Sequence, residues 1–184
     1  MVHDWGSRDA AFLKINREVL DWLPEIVNGS GTHVAVPMQG SGTFAVEAML
    51  TTLVPPKGKV LLLANGAYGE RARKILEIAK RKVEVYDTPE DTPPDPRVVA
   101  LTLAADPAIT HVVAVQCETT SGILNPIAEI GRHAKSQGKS FLVDAMSAFG
   151  ALPLDAWVDA PSTATTTSTT AYITSPPGRD RPRE

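Results

Sequence analysis

Lys59-Val60-Leu61-Leu62-Leu63-Ala64 is the stretch that decides the fold. After Lys59 every residue is apolar, with no alternation. A strand with one wet face alternates apolar and polar side chains, so this run predicts a strand buried on both faces. Strands of that kind belong to parallel sheets sandwiched between helices. Asn65-Gly66-Ala67-Tyr68-Gly69-Glu70 follows as a tight turn and opens a helix to about Ala79.

Working outward, the same alternation of strand, turn and helix recurs on both sides. Toward the N-terminus, Ala10 to Val27 carry an apolar stripe of Phe12, Ile15, Val19, Leu20, Leu23 and Ile26, stopped by Asn28-Gly29. His33 to Val36 are valine-rich and read as a strand. Pro37-Met38-Gln39-Gly40-Ser41-Gly42-Thr43 turns the chain into a helix to about Leu53, with Phe44, Val46, Ala48, Met49 and Leu53 as its buried face. Pro55-Pro56-Lys57-Gly58 breaks it. Toward the C-terminus, Val83 to Tyr86 form a strand, Thr88 to Asp95 a polar loop and Arg97 to Ala105 a helix. His111 to Gln116 form a buried strand, Pro126 to Gln137 a helix ended by Gly138, and Ser140 to Val143 another strand. The expected fold is α/β, a doubly wound, mainly parallel sheet with helices on both faces and no internal repeat.

Composition narrows the function classes. The chain has 184 residues, 43% of them hydrophobic, and a net charge of -3, as an ordinary globular protein does. That length suits one core and is short for a two-domain enzyme. No basic run points to nucleic acid, and no apolar run is long enough to span a bilayer. Cys117 is the single cysteine, so an internal disulfide framework is excluded and a cytoplasmic setting is expected. It reads as a small core residue. The N-terminus lacks the basic-then-apolar pattern of an export signal. His3, His33, His111 and His133 show no ligand spacing, so no metal site is expected. Residues 1–156 read as one α/β unit. Residues 157–184 form a Thr/Pro-rich tail too poor in large apolar side chains to offset ordering entropy, so they are expected to be disordered or read out of frame.

Ligands of open α/β sheets bind at the carboxyl ends of the strands. Four chemically marked turns fall there: Gln39-Gly40-Ser41-Gly42-Thr43, Asn65-Gly66-Ala67-Tyr68-Gly69, Glu118-Thr119-Thr120-Ser121-Gly122 and Asp144-Ala145-Met146-Ser147. The first opens a helix whose orphan amides and dipole favour an anion. Tyr68 offers an aromatic face, the third turn a row of hydroxyls, and Asp144 a carboxylate that can pair with a protonated ring nitrogen. Together they suit a flat nitrogenous ring with a phosphate arm. Taken singly, each has a plainer reading: Ser41 as a helix cap, Tyr68 as a half-buried aromatic, Thr119 to Ser121 as caps before Pro126, Asp144 as a loop closure. A nucleotide site is the weaker alternative, because Gly40-Ser41-Gly42-Thr43 has neither the dinucleotide nor the P-loop spacing.

At these motifs, joined by His3-Asp4-Trp5-Gly6-Ser7 and Ile123-Leu124-Asn125-Pro126, the chain resembles class V aminotransferases over about residues 2 to 156. The resemblance implies a fold-type-I enzyme that uses pyridoxal 5′-phosphate (PLP). Among such enzymes the motifs are most similar to those that move the amino group of 2-aminoethylphosphonate to pyruvate, and an alanine–glyoxylate type is the alternative. It implies that Ser41, Gly42 and Thr43 hold the cofactor phosphate. Tyr68 and Met146 would take the two ring faces, Thr120 the ring hydroxyl and Asp144 the pyridine nitrogen. It also implies a homodimer.

The family's Schiff-base lysine follows the Asp144 motif by some tens of residues, whereas the last lysine here is Lys139. No catalytic residue is therefore assigned, and the chain is expected to be inactive alone. A non-catalytic PLP-binding or dimerisation fragment is the corresponding alternative. The family's first strand and small C-terminal domain have no counterpart in these 184 residues.

Overall fold

A computed structural model of the protein describes residues 4–156, 165–167 and 171–174. The chain runs α1 (Ala10–Ile26), β1 (Val34–Pro37), α2 (Gly42–Leu53), β2 (Lys59–Ala64), α3 (Ala67–Ile78), β3 (Lys82–Asp87), α4 (Pro96–Ala105) and β4 (Ile109–Val115). A small hairpin of β5 (Cys117–Glu118) and β6 (Ile123–Leu124) precedes α5 (Ile127–Ser136) and β7 (Ser140–Asp144). β8 (Thr165–Thr167) and β9 (Ala171–Thr174) follow. Among the described residues the main sheet has seven strands in the order β1-β9-β8-β7-β4-β2-β3. β9 runs antiparallel to both its neighbours, and the other pairs are parallel.

The unbroken apolar run in β2 is explained by two cores. Leu61 and Leu63 face one, with Val99 and Leu103 of α4 and Ile127, Ile130 and Ala134 of α5. Val60 and Leu62 face the other, with Val46, Met49 and Leu50 of α2 and Ala72 and Leu76 of α3. The register carries this across the sheet. Leu61 pairs with Val112 and Val112 with Phe141, all in the first core; Leu62 pairs with Val113 and Val113 with Leu142, all in the second. Each such side chain contributes about 1.5–3 kcal/mol on burial. This is the doubly wound α/β sheet expected from the sequence, with helices on both faces.

Three expectations are corrected. The α1 stripe is not a buried face: Ile15, Val19 and Ile26 are 46%, 39% and 49% exposed, and of the stripe only Leu23 is buried. The C-terminal part of α1 reaches the sheet, where Leu23 and, just past the helix, Val27 join the first core. In α2, Val46 and Met49 are buried but Phe44 stays 43% exposed, because it lies in the first turn at the open edge of the sheet. Within the 157–184 tail, which is expected to be disordered or read out of frame, the described residues Thr165–Thr167 and Ala171–Thr174 form strands. Threonine is β-branched and suits a strand, and pairing with β7 and β1 supplies backbone partners that a local pattern does not reveal. The rest of the tail lies outside the described residues. Cys117 is half-buried in β5 and is not part of either core. Among the described residues no helix is long and apolar enough to cross a membrane.

Candidate functional site

Because β1, β2, β4 and β7 run the same way, the turns that follow them lie along one edge of the sheet. After β1 the chain enters α2 through Ser41, whose Oγ accepts the Phe44 N–H at 3.3 Å. The first intrahelical bond is Ala45 N–H to Ser41 O at 3.2 Å, so the amides of Gly42 and Thr43 precede the helical ladder and have no acceptor within it. A methyl group at Gly42 would lie 2.5 Å from Met146 Cε, so glycine lets the loop after β7 close against the cradle.

After β2, α3 begins almost at once. A Cβ on Gly69 would come 2.9 Å from Ala64 Cα, so glycine is what allows this close helix–strand approach. The first turn of α3 is held by Glu118, which is 0% exposed. Its carboxylate accepts the Gly69 N–H at 2.8 Å and the Tyr68 N–H at 3.3 Å, an anion at a helix N-terminus. Asn65 and Asn125 exchange side-chain hydrogen bonds of 2.8 and 3.0 Å, and Asn125 Nδ2 donates to Val115 O at 2.9 Å. The turns after β2 and β4 are thereby locked behind the cavity.

β7 ends on Asp144, 8% exposed, whose Oδ1 accepts the Met146 N–H at 3.1 Å. The hydroxyls of Thr119 and Ser147 hydrogen-bond to one another and join the β5–β6 tip to this loop. The result is a cavity of about 240 Å³ lined by Ser41, Gly42, Thr43, Val46, Tyr68, Arg71, Asp144 and Met146. It offers outward amides and hydroxyls at one helix end, an aromatic ring, a thioether and a carboxylate. That donor set fits a flat ring bearing a phosphate and a protonated nitrogen.

Six of the seven residues named from the sequence therefore share one cavity: Ser41, Gly42, Thr43, Tyr68, Asp144 and Met146. Thr120 is not among its lining and stands exposed at the β5–β6 tip. Two residues were missed. Arg71 donates to Thr43 Oγ1 at 3.1 Å and lies over the Tyr68 ring, 4.8 Å from its centroid. Its signal was the i,i+3 spacing from Tyr68, which places both on one helix face. The other is Glu118, whose sequence signal is a carboxylate placed just after a buried strand, where it needs a partner.

The Aminotransferase class-V family profile matches residues 8–157. The chain is 52% identical over 156 residues to the 2-aminoethylphosphonate–pyruvate transaminase of Pseudomonas putida (strain GB-1), and 51% identical to that of Pseudomonas aeruginosa (strain UCBPP-PA14). Each match covers 85% of this chain and 42% of the relative, so the chain spans less than half the length of these curated relatives. Among solved structures it superposes on pyridoxamine-pyruvate aminotransferase from Mesorhizobium loti with a TM-score of 0.83 at 25% identity, covering 94% of this chain and 46% of that one. Ureidoglycine-glyoxylate aminotransferase from Bacillus subtilis gives 0.86 at 23% identity, covering 95% and 46%, a likeness of fold. With the family matched over most of its length, this chain belongs to the class V aminotransferases, whose cofactor is pyridoxal 5′-phosphate.

Proposed function

We propose that this chain is the cofactor-binding part of an aminotransferase that moves the amino group of 2-aminoethylphosphonate to pyruvate, giving phosphonoacetaldehyde and alanine. The observation that carries it is the single cavity in which the α2 cradle, Tyr68, Met146 and Asp144 meet. The relatives named above support the choice of substrates.

In this reading Ser41, Gly42 and Thr43 hold the phosphate through hydroxyls and helix-end amides. Tyr68 and Met146 contact the ring faces. Asp144 holds a proton at the ring nitrogen. Bound there, the cofactor supplies the electron sink of amino transfer. The burial of Asp144 keeps water from competing for that proton. Lys139 bonds the carbonyls of Pro107 and Ile109 at the opposite end of the strands, so in this reading the cavity binds the cofactor and does not itself supply a Schiff-base lysine.

Residues 1–156 act as the working unit in this proposal, a cytoplasmic setting is assumed, and a homodimer is the expected assembly. Leu13, Val19 and Trp22 of α1 leave apolar surface for a second copy, which concentration-dependent size exclusion tests.

The test is titration of the chain with PLP, followed by absorbance. Saturable one-to-one binding, weakened ten- to hundredfold by Asp144→Ala with the fold intact by circular dichroism, is expected from the loss of a charge-assisted hydrogen bond. Equal binding by the variant sinks the Asp144 role. Alanine formed from 2-aminoethylphosphonate and pyruvate by the chain alone overturns the reading that the cavity does not itself supply a Schiff-base lysine. A preference for glyoxylate over pyruvate in the whole protein moves the substrate assignment.

A further inference from the structure

The cavity contains one unexplained charge. Of the residues that line it, Arg71 alone is cationic. Its neighbour on α3, Arg73, is held by carboxylates, with Glu77 at 3.0 Å and Glu70 at 3.7 Å. Arg71 makes no ion pair among the described residues. Its guanidinium is placed instead by two neutral groups, the Thr43 hydroxyl of the cradle and the face of Tyr68.

We propose that Arg71 is a binding residue for a tetrahedral phosphorus oxyanion in this site: anchored on Thr43 Oγ1 and laid over Tyr68, its guanidinium supplies the positive charge that the cradle lacks. The inference rests on the ring-ligand reading of the cavity given above. Three physical points support it. The cradle's own donors, amides and hydroxyls, are neutral, whereas a phosphate or phosphonate carries close to two negative charges near pH 7. Asp144 lines the same cavity and repels such an anion, so a local cation offsets a Coulombic cost. A guanidinium has five N–H donors in a planar fork that matches phosphate oxygens, and one bond to Thr43 leaves the others available for them. Stacking on Tyr68 restricts the long side chain beforehand, which lowers the entropy lost when an anion arrives.

The oxyanion has two possible sources, the phosphate of the cofactor and the phosphonate of the substrate, and the experiment separates them. The 184-residue chain and its Arg71→Met and Arg71→Lys variants are titrated calorimetrically with pyridoxine 5′-phosphate and with pyridoxine. Neither ligand carries an aldehyde to react with surface lysines. 2-Aminoethylphosphonate is titrated separately. Arg71 is exposed, so both variants are expected to melt cooperatively as the parent does.

Arg71→Met should weaken pyridoxine 5′-phosphate ten- to hundredfold while leaving pyridoxine within about twofold. Arg71→Lys should fall between, because it restores charge but not the fork. The salt dependence of pyridoxine 5′-phosphate binding should become shallower in Arg71→Met. A loss confined to 2-aminoethylphosphonate supports the proposal and assigns Arg71 to the substrate phosphonate. Equal losses for pyridoxine and its phosphate overturn the proposal, since Arg71 would then act only by holding Tyr68. An unchanged affinity for every ligand also overturns it. A parent chain that binds none of them overturns the ring-ligand reading itself, a result distinct from a parent that binds and a variant that matches it.

Discussion

The two ends of the parallel strands differ in what their polar groups do. At the N-terminal end, cations are bonded inward. Lys59 Nζ pairs with Glu84 at 2.6 Å and also with Asp106. Arg81 donates to the carbonyls of Thr51, Val54 and Ala79 at 3.1, 2.9 and 2.9 Å, closing the C-terminal end of α2. Lys139 donates to the carbonyls of Pro107 and Ile109 at 3.1 and 2.6 Å. At the C-terminal end the inward bonds are made by Glu118, Asn65 and Asn125, behind the cavity, while Ser41, Thr43, Tyr68, Arg71 and Asp144 border it. Fold stability alone would make both ends look like the first. At the open end these groups keep polar surface on the cavity, and the bonds behind it hold the turns that carry them.

The largest effect should come from the lock behind the cavity. Glu118→Ala removes a fully buried acceptor and leaves the amides of Tyr68 and Gly69 unsatisfied, at a cost of about 2–4 kcal/mol. A urea midpoint lowered with an unchanged slope measures it. The same change should weaken ring-ligand binding, because Tyr68 loses its anchor. Lys59→Met is the counterpart at the opposite end: it should lower the melting temperature by less and leave ligand affinity unaltered. Equal stability losses, with neither variant touching affinity, would erase the distinction between the ends.

Gly42→Ala comes next and reads the open end by itself. The added methyl meets the tip of Met146, a flexible thioether that can move aside, so the stability change should stay below about 1 kcal/mol. Ring-ligand affinity should nevertheless fall several-fold, because Met146 is displaced from the cavity it lines. A variant with unchanged affinity would show that Met146 does not touch the ligand.

What could be read from sequence follows the same division. The Lys59–Ala64 run is legible because burial on two faces removes alternation, a property of one segment. The turns at Gly40-Ser41-Gly42-Thr43 and at Asp144 are legible because their chemistry is local and their place at strand ends follows from the fold. The lock is different. Asn65 and Asn125 are 60 positions apart, and Glu118 reaches Gly69 from 49 positions away. A single sequence carries no signal for which partners meet over such distances. The exposure of α1 and the pairing of β8 and β9 were illegible for the same reason, since a stripe or a threonine run does not say what lies opposite. Arg71 lay between these cases. Its spacing from Tyr68 was visible, but the Thr43 contact that gives the spacing meaning comes from another element.

The smallest effect should be acid sensitivity, and it should belong to the N-terminal end. His33 directly precedes β1 and His111 lies in the first half of β4, both buried there. Burial lowers the pKa of each below its ordinary value, more than nearby hydrogen bonds raise it. The unfolded chain then binds more protons than the folded one between the lowered values and about 6.5. Stability should be complete above about pH 6.5 and fall as the pH drops below it, levelling off once the folded histidines also protonate. A shift in melting temperature on the order of 2–4 °C corresponds to about 1 kcal/mol in a chain of this size. His111→Gln should flatten part of that slope, because it removes one of the two groups, while ring-ligand affinity at neutral pH stays the same. If affinity instead follows the His111 substitution, the two ends are energetically coupled through β4, whose other end leads directly to Glu118.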